Sequence, residues 1–255
     1  RIATENAKNV ILQKIREEER KVLYDQYYGM EKEVVTGIVQ RVMGKNVSVN
    51  LGKADGILSE NEQVKGEEFE PTERIKVYIL EVKDTPKGPR ILLSRTHPGL
   101  VKRLFESEVA EVKDGTVEIK SIAREAGSRT KIAVWSNDPD VDPVGACVGM
   151  NGARVNAIVN ELRGEKIDII NWDENPAILI ENALSPAKVI AVMADPDEKT
   201  ALVVVPDYQL SLAIGKEGQN ARLAARLTGF KIDIKSETQA RESGELYDYD
   251  DEDEY

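Results

Sequence analysis

The sequence holds one cysteine, Cys147, and one histidine, His97. A single thiol excludes an intramolecular disulfide framework and a cysteine-based zinc site. A single imidazole leaves little material for a histidine-rich metal site or a histidine-dependent acid–base pair. No uncharged apolar run reaches the ~18–20 residues that span a bilayer, and no signal-peptide core is present. The chain therefore reads as soluble and cytoplasmic, with no membrane partner. The phosphate loop G-x-x-x-x-G-K-[ST], the zinc motif H-E-x-x-H and acidic clusters with ligand spacing are all missing. The expectation is a protein that is not an enzyme and needs no metal or cofactor. Aromatics make up only 5% of the 255 residues. Positive charge is also short: 35 Lys and Arg stand against 46 Asp and Glu, a net charge of −11. At first sight that total argues against a nucleic-acid partner.

The acid excess is not spread evenly. Residues 237–255 carry nine acids and one base, or −8 of the −11, with five consecutive acids from Asp250 to Glu254. Such a run repels itself and lacks core-forming residues, so 237–255 reads as a disordered acidic tail. It either solubilises the chain or competes with an anionic ligand for basic surface. Without it the body carries only −3 (−11 + 8).

Three changes of hydrophobic period divide the rest. Residues 1–32 place Ile2, Val10, Ile11, Ile15, Val22 and Leu23 at helical spacing with no turn residue before Gly29, which predicts a long amphipathic connector helix. Residues 33–97 hold five short runs rich in Val and Ile, separated by Gly and Pro turns, as in a small closed barrel. Gly37 falls inside the first run, where a barrel corner needs a residue without Cβ. Residues 98–172 and 173–236 each follow the order helix, strand, strand, short helix, longer helix, strand.

These last two segments are copies. ACVGMNGARVNAIVNELRGEKIDI (146–169) aligns with LAIGKEGQNARLAARLTGFKIDI (212–234). Gly149 and Gly152 match Gly215 and Gly218, and each copy closes on Lys-Ile-Asp-Ile. A repeat of about 65 residues is too long for a solenoid unit and fits a duplicated α/β domain. Two glycines three apart, between an apolar helix and an amphipathic one, let a ligand backbone lie against the turn. The free N–H groups of the second helix face the same spot and favour phosphate. One such loop would be an ordinary helix–helix turn. Two in matching surroundings point to KH-type grips on single-stranded nucleic acid.

The order barrel, G-x-x-G domain, G-x-x-G domain resembles the RNA-binding core of the NusA family of bacterial transcription termination and antitermination factors. VVTGIVQRV, ADGILSENE and RIKVYILEV resemble an S1-type OB barrel, and DPDVDPVGACVG and VPDYQLSLAIGKEGQNARLAARLTG resemble type II KH domains. The implied fold is multidomain α+β: connector helix, five-stranded S1-type OB barrel, two tandem type II KH domains and an acidic tail. The connector resembles the one that joins the family's N-terminal polymerase-binding domain. That domain is expected to be missing here, the chain being a piece of a longer protein.

The resemblance implies a monomeric, non-catalytic protein that binds single-stranded nascent RNA and RNA polymerase, with other antitermination factors as further partners. It would modulate pausing, termination and antitermination. The alternative is the RNA-binding portion of an RNA-decay or ribosome-associated KH protein. The barrel-first order and the two KH copies argue against it.

The expected RNA contacts are Gly149, Met150, Asn151, Gly152 and Arg154 in the first copy. In the second they are Gly215, Lys216, Glu217, Gly218, Asn220 and Arg222. Val148, Ile169, Ile214 and Ile234 would floor the groove under the bases, the alternative being a core role. The barrel offers Arg41, Lys45 and Lys53 but no aromatic platform along VQRVMGKNVSVNLGKADGIL, so weak RNA binding of its own is expected. His97 reads as a hydrogen-bonded linker residue, Cys147 as a buried inert thiol, and Trp135 and Trp172 as packing residues.

Overall fold

The computed structural model describes residues 2–246. Its contacts divide the chain into two compact units. Among the described residues, one runs to Leu104 and includes Glu161–Arg163, and the other is Phe105–Asn160 with the residues from Gly164.

In the first unit, helix α1 (Ile2–Tyr28) runs to the turn at Gly29 as expected. Its amphipathic stripe is corrected: Ile2, Val10, Ile11, Ile15 and Val22 are exposed. Only the last turns meet apolar surface, where Leu23, Tyr24 and buried Tyr27 join the barrel core. The Tyr27 hydroxyl donates to the Leu51 carbonyl at 3.1 Å and accepts from the Lys53 and Ala54 amides, so it fastens the helix to the turn between two strands.

Those strands are β2 (Asn46–Asn50) and β3 (Asp55–Leu58), in a set completed by β1 (Val34–Met43), β4 (Arg74–Thr85) and β5 (Gly88–Ser94). β1 pairs antiparallel with β2 and β4, β2 with β3, and β4 with β5. A parallel ladder of three pairs, Gly56–Ile91 to Leu58–Leu93, joins β3 to β5 and closes the barrel. Alternate residues of β4, Ile75, Val77 and Ile79, turn inward against Val49, Leu58, Ile91 and Leu93. Each such side chain contributes ~1.5–3 kcal/mol when fully buried. The corner at Gly37 is as expected, since a Cβ there would lie 2.3 Å from Val49 Cγ1.

Arg95 ends the barrel sequence and is 1% exposed. Its guanidinium grips Glu67 in two places and donates to the Lys76 carbonyl at 2.7 Å and the Glu161 carbonyl at 3.1 Å. A buried arginine is tolerable only with its donors satisfied in this way. The His97 ring stacks on Tyr78 at 4.6 Å, and its Nδ1 accepts from the Gly99 amide at 2.9 Å, as befits a linker residue.

The two domain copies follow. Helix α2 (Pro98–Glu108) begins in the first unit and ends in the second, and α3 (Ala110–Lys113) follows it. The first copy continues with β6 (Val117–Glu125), β7 (Arg129–Ser136), α4 (Pro143–Val148), α5 (Ala153–Glu161) and β8 (Lys166–Asn171). The second copy has α6 (Pro176–Ala183), β9 (Ala191–Asp195), β10 (Thr200–Val205), α7 (Leu210–Ile214), α8 (Gln219–Thr228) and β11 (Lys231–Ser236).

Both sheets have the same mixed topology. The middle strand pairs antiparallel with the first and parallel with the last. Register is conserved between the copies: Arg129 faces Lys166 and Ile132 faces Ile169, as Thr200 faces Lys231 and Val203 faces Ile234. The sheet of the first copy packs into the core of the second. Ala123, Ala133 and Ile170 of the first sheet cluster with Leu179, Ile180, Leu184, Leu223 and Ala224 of the second copy's helices. Alanines on the sheet and on α8 leave room for the close approach. Lys131, fully buried, donates to Asp168 at 3.0 Å and to the Ser185 carbonyl at 2.7 Å. It thereby pins the first sheet to the segment after α6.

The expected tail needs correction at its start. Residues Glu237–Glu242 form helix α9 with a full capping box: Ser236 Oγ accepts from the Gln239 amide and the Gln239 side chain accepts from the Ser236 amide. Its own Ala240 is buried, and Lys235 pairs with Glu245 at 2.7 Å. A capped turn with one buried methyl outweighs the local acidity. The acidic run Asp250–Glu254 lies outside the described residues. Among the described residues no helix is long and apolar enough to cross a membrane.

Candidate nucleic-acid interface

The two G-x-x-G loops adopt the same backbone. Gly149 and Gly215 sit at φ 77°, ψ 174° and φ 78°, ψ 169°. The third residues, Asn151 and Glu217, are left-handed at φ 55° in both, and Gly152 and Gly218 follow at φ 74° and φ 75°. Positive φ at three of four positions turns the chain within one 3-10 turn, and α5 or α8 starts at the next residue. The first glycine is required twice over. Its φ and ψ fall in a region essentially reserved for glycine. A Cβ would also strike the following helix, at 2.8 Å from Arg154 Cγ in one copy and 2.8 Å from Asn220 Cβ and N in the other. The glycines thus serve the chain's own close approach before they serve a ligand's.

Met150 is 85% exposed at the tip of the first loop, and Asn151 beside it is exposed too. Lys216 and Glu217 hold the same tip positions in the second and are exposed. Among the described residues Lys216 has no ion-pair partner.

Two expected contacts play another part. Asn220 is buried, and its amide donates to the Leu184 carbonyl at 3.1 Å and the Ala213 carbonyl at 3.0 Å. Arg154 occupies the aligned position and donates to the Ala146 carbonyl at 2.8 Å and to Glu111 at 2.7 Å. Both side chains satisfy carbonyls at the end of the short helix before the loop, which otherwise lack partners. Asn220 is therefore a positioning residue, and sequence alone could not separate this from a ligand contact.

Arg222 is exposed and tied twice. Its Nη1 donates to the Glu217 carbonyl at 3.0 Å, and its Nε to Glu125, a residue of the first copy. Arg222 holds the Glu125 carboxyl below the ordinary carboxylate range. The pair therefore survives acidification past the point where a free glutamate protonates, and is lost only as pH falls through that lowered value. Gln219 adds a bond to Glu125 at 2.8 Å and another to Ser128 at 2.6 Å. The Glu111 carboxyl is also lowered, first by its own backbone N–H and then by Arg154. Glu111 and Glu125 have no local motif. They stand 43 and 97 residues from their arginines, so only the fold reveals them.

The expected groove floor divides. Val148, Ile169 and Ile234 are half-buried and Ile214 is exposed. Ile234 packs on the second copy's core. Ile169 lines an open cavity of about 540 Å³ with Val144, Asn182, Lys188 and Val189, so residues of both copies form its walls. Trp135 and Trp172 meet edge to face at 5.7 Å, a packing pair as expected.

Cys147, buried under the first loop, has its thiol pushed up to about 11, chiefly by burial. In the native protein at pH 8 it is expected to react with a disulfide reagent far more slowly than after denaturation. Stopped-flow thiol titration checks this, and a native rate equal to the unfolded rate would contradict it.

Three family models match the chain: an S1 RNA binding domain over residues 29–94, a NusA-like first KH domain over 95–172, and a NusA-like second KH domain over 176–242. Proteins described as transcription termination/antitermination protein NusA are its relatives. That of Bacillus subtilis is 61% identical over 96% of this chain and 66% of its own length. That of Halalkalibacterium halodurans is 58% identical, over 97% and 65%. That of Mycobacterium bovis is 49% identical, over 93% and 71%. The chain thus spans about two thirds of the length of the curated relatives it matches.

Proposed function

Because the chain belongs to the NusA family of transcription termination/antitermination proteins, we propose that it binds single-stranded nascent RNA through its paired KH domains and acts on transcription by RNA polymerase. In this reading it modulates pausing, termination and antitermination as a monomeric cytoplasmic protein without catalysis, in company with other antitermination factors. One observation carries the reading. Two G-x-x-G loops with matching dihedral angles precede helices of a single unit, and the sheet of the first copy packs into the core of the second. An RNA strand laid along that unit would meet two backbone grips, the exposed tips Met150, Asn151, Lys216 and Glu217, and the cavity at Ile169.

The body carries little net charge, and both loop arginines are paired with carboxylates. Affinity then rests on backbone contact and apolar surface, with a shallow dependence on salt. The barrel serves chiefly as spacer or protein contact, and the acidic tail is a decoy for the RNA surface.

Fluorescence anisotropy with single-stranded and duplex RNA of one sequence tests the proposal. Binding of the single strand, weak binding of the duplex and a shallow salt slope are expected. Equal binding of both forms, or none, would refute it. Crosslinking in a paused elongation complex then maps which residues touch RNA.

A further inference from the structure

The arginine nearest the second loop does not face solution alone. Glu125, the last residue of β6, reaches from the first copy to the opening turns of α8. Its carboxylate accepts from Arg222 Nε and from Gln219 Nε2 at 2.8 Å, and lies 3.9 Å from Arg226 Nη1. Gln219, Arg222 and Arg226 are the first, fourth and eighth residues of α8, which follows Gly218. These are the donors that a helix N-terminus beside a G-x-x-G loop would offer to a phosphodiester. Here a glutamate from the neighbouring copy takes them.

The hairpin that presents Glu125 is braced by a buried network. Arg124 and Glu165 form a buried ion pair, and Glu165 also accepts from the Gly127 amide at 2.6 Å and the Thr130 hydroxyl at 2.7 Å. Glu125 is therefore held in place by its own domain. In the first copy a carboxylate also meets a loop arginine, Glu111 on Arg154, though Arg154 stands at the position of Asn220 and Glu111 belongs to the same copy.

We infer that Glu125 is an affinity-setting residue of the RNA surface, an internal carboxylate that competes with an RNA phosphate for Arg222 and Arg226. This rests on the RNA-binding reading above. Glu125 holds Arg222 Nε and the Glu217 carbonyl holds Nη1, while Nη2 has no hydrogen-bond partner among the described residues, so the site is weakened and not closed. The local balance of Lys216, Glu217, Arg222, Arg226 and Glu125 is one positive charge, and it doubles when Glu125 is neutralised. The device would keep the second loop from gripping any strand tightly and favour strands that fit the groove.

The test uses Glu125→Gln in the full chain, which keeps the shape and the acceptor oxygen but removes the charge. A single-stranded RNA of about a dozen nucleotides is titrated by anisotropy across a salt series. The variant is expected to bind about three- to tenfold tighter at low salt, with the slope of log K against log salt steeper by about 0.7, one more phosphate neutralised. Adding Arg222→Gln should remove most of that gain. Unchanged or weaker binding by the folded Glu125→Gln protein, or a gain that survives Arg222→Gln in full, would overturn the inference alone. Absence of RNA binding by the unaltered protein would overturn it together with the proposed function.

Discussion

Replacing Gly149 and Gly215 together by aspartate is expected to abolish RNA binding, while either change alone only weakens it. The reason is geometric. Each glycine combines φ near 78° with ψ near 170°, and each Cβ would press on the start of the next helix at 2.8 Å. In the second copy the struck atoms include a backbone nitrogen, which cannot swing aside. Relief requires the loop to open, at a cost of about 1–3 kcal/mol per site. An opened loop no longer aims α5 or α8 at the ligand, and the added carboxylate repels phosphate. A loss of 1.4 kcal/mol is tenfold in affinity, so about tenfold is expected from each single change and at least a hundredfold from both. Circular dichroism and a thermal melt establish that the variants are folded. A folded double variant with unaltered affinity would remove the loops from the RNA surface.

Glu165→Ala is expected to cost the second unit about 3–5 kcal/mol of stability. Glu165 and Arg124 are both buried, and the carboxylate also holds Gly127 and Thr130. Alanine would take its carboxylate from a buried guanidinium and leave a backbone amide and a hydroxyl without their acceptor. Urea denaturation measures the loss, and Glu165→Gln should lose less because it keeps one acceptor. The hairpin from Glu125 to Arg129 would loosen with it, so the link to Arg222 should weaken even in variants that remain folded. A change below about 1 kcal/mol would show that the network contributes little.

The nine-residue β6, the barrel strands, both G-x-x-G turns and the Lys-Ile-Asp-Ile strands were legible from the chain. They depend on period, on glycine and on a repeat, which are local properties. The acidic surplus was legible too, once located: most of it lies after Ser236, and the body is close to neutral. Helix α9 was missed because charge composition hid a capping box whose effect is to tie six residues to the fold. The stripe on α1 was read too generously, since period shows which residues share a face but not whether anything lies against it.

By itself the sequence determined the domain types, their order, the duplication and the positions of the loops, because each follows from short-range spacing. Only the tertiary structure decided what the polar residues around the loops do. Asn220 and Arg154 close the ends of helices, Lys131 pins one copy to the other, and Glu111 and Glu125 pair with the arginines beside the loops. Each partner lies several to nearly a hundred residues away along the chain, and a charge's effect depends on its distance from another charge in space. That distance is set by how the first copy's sheet packs into the second copy's core, which no local pattern records.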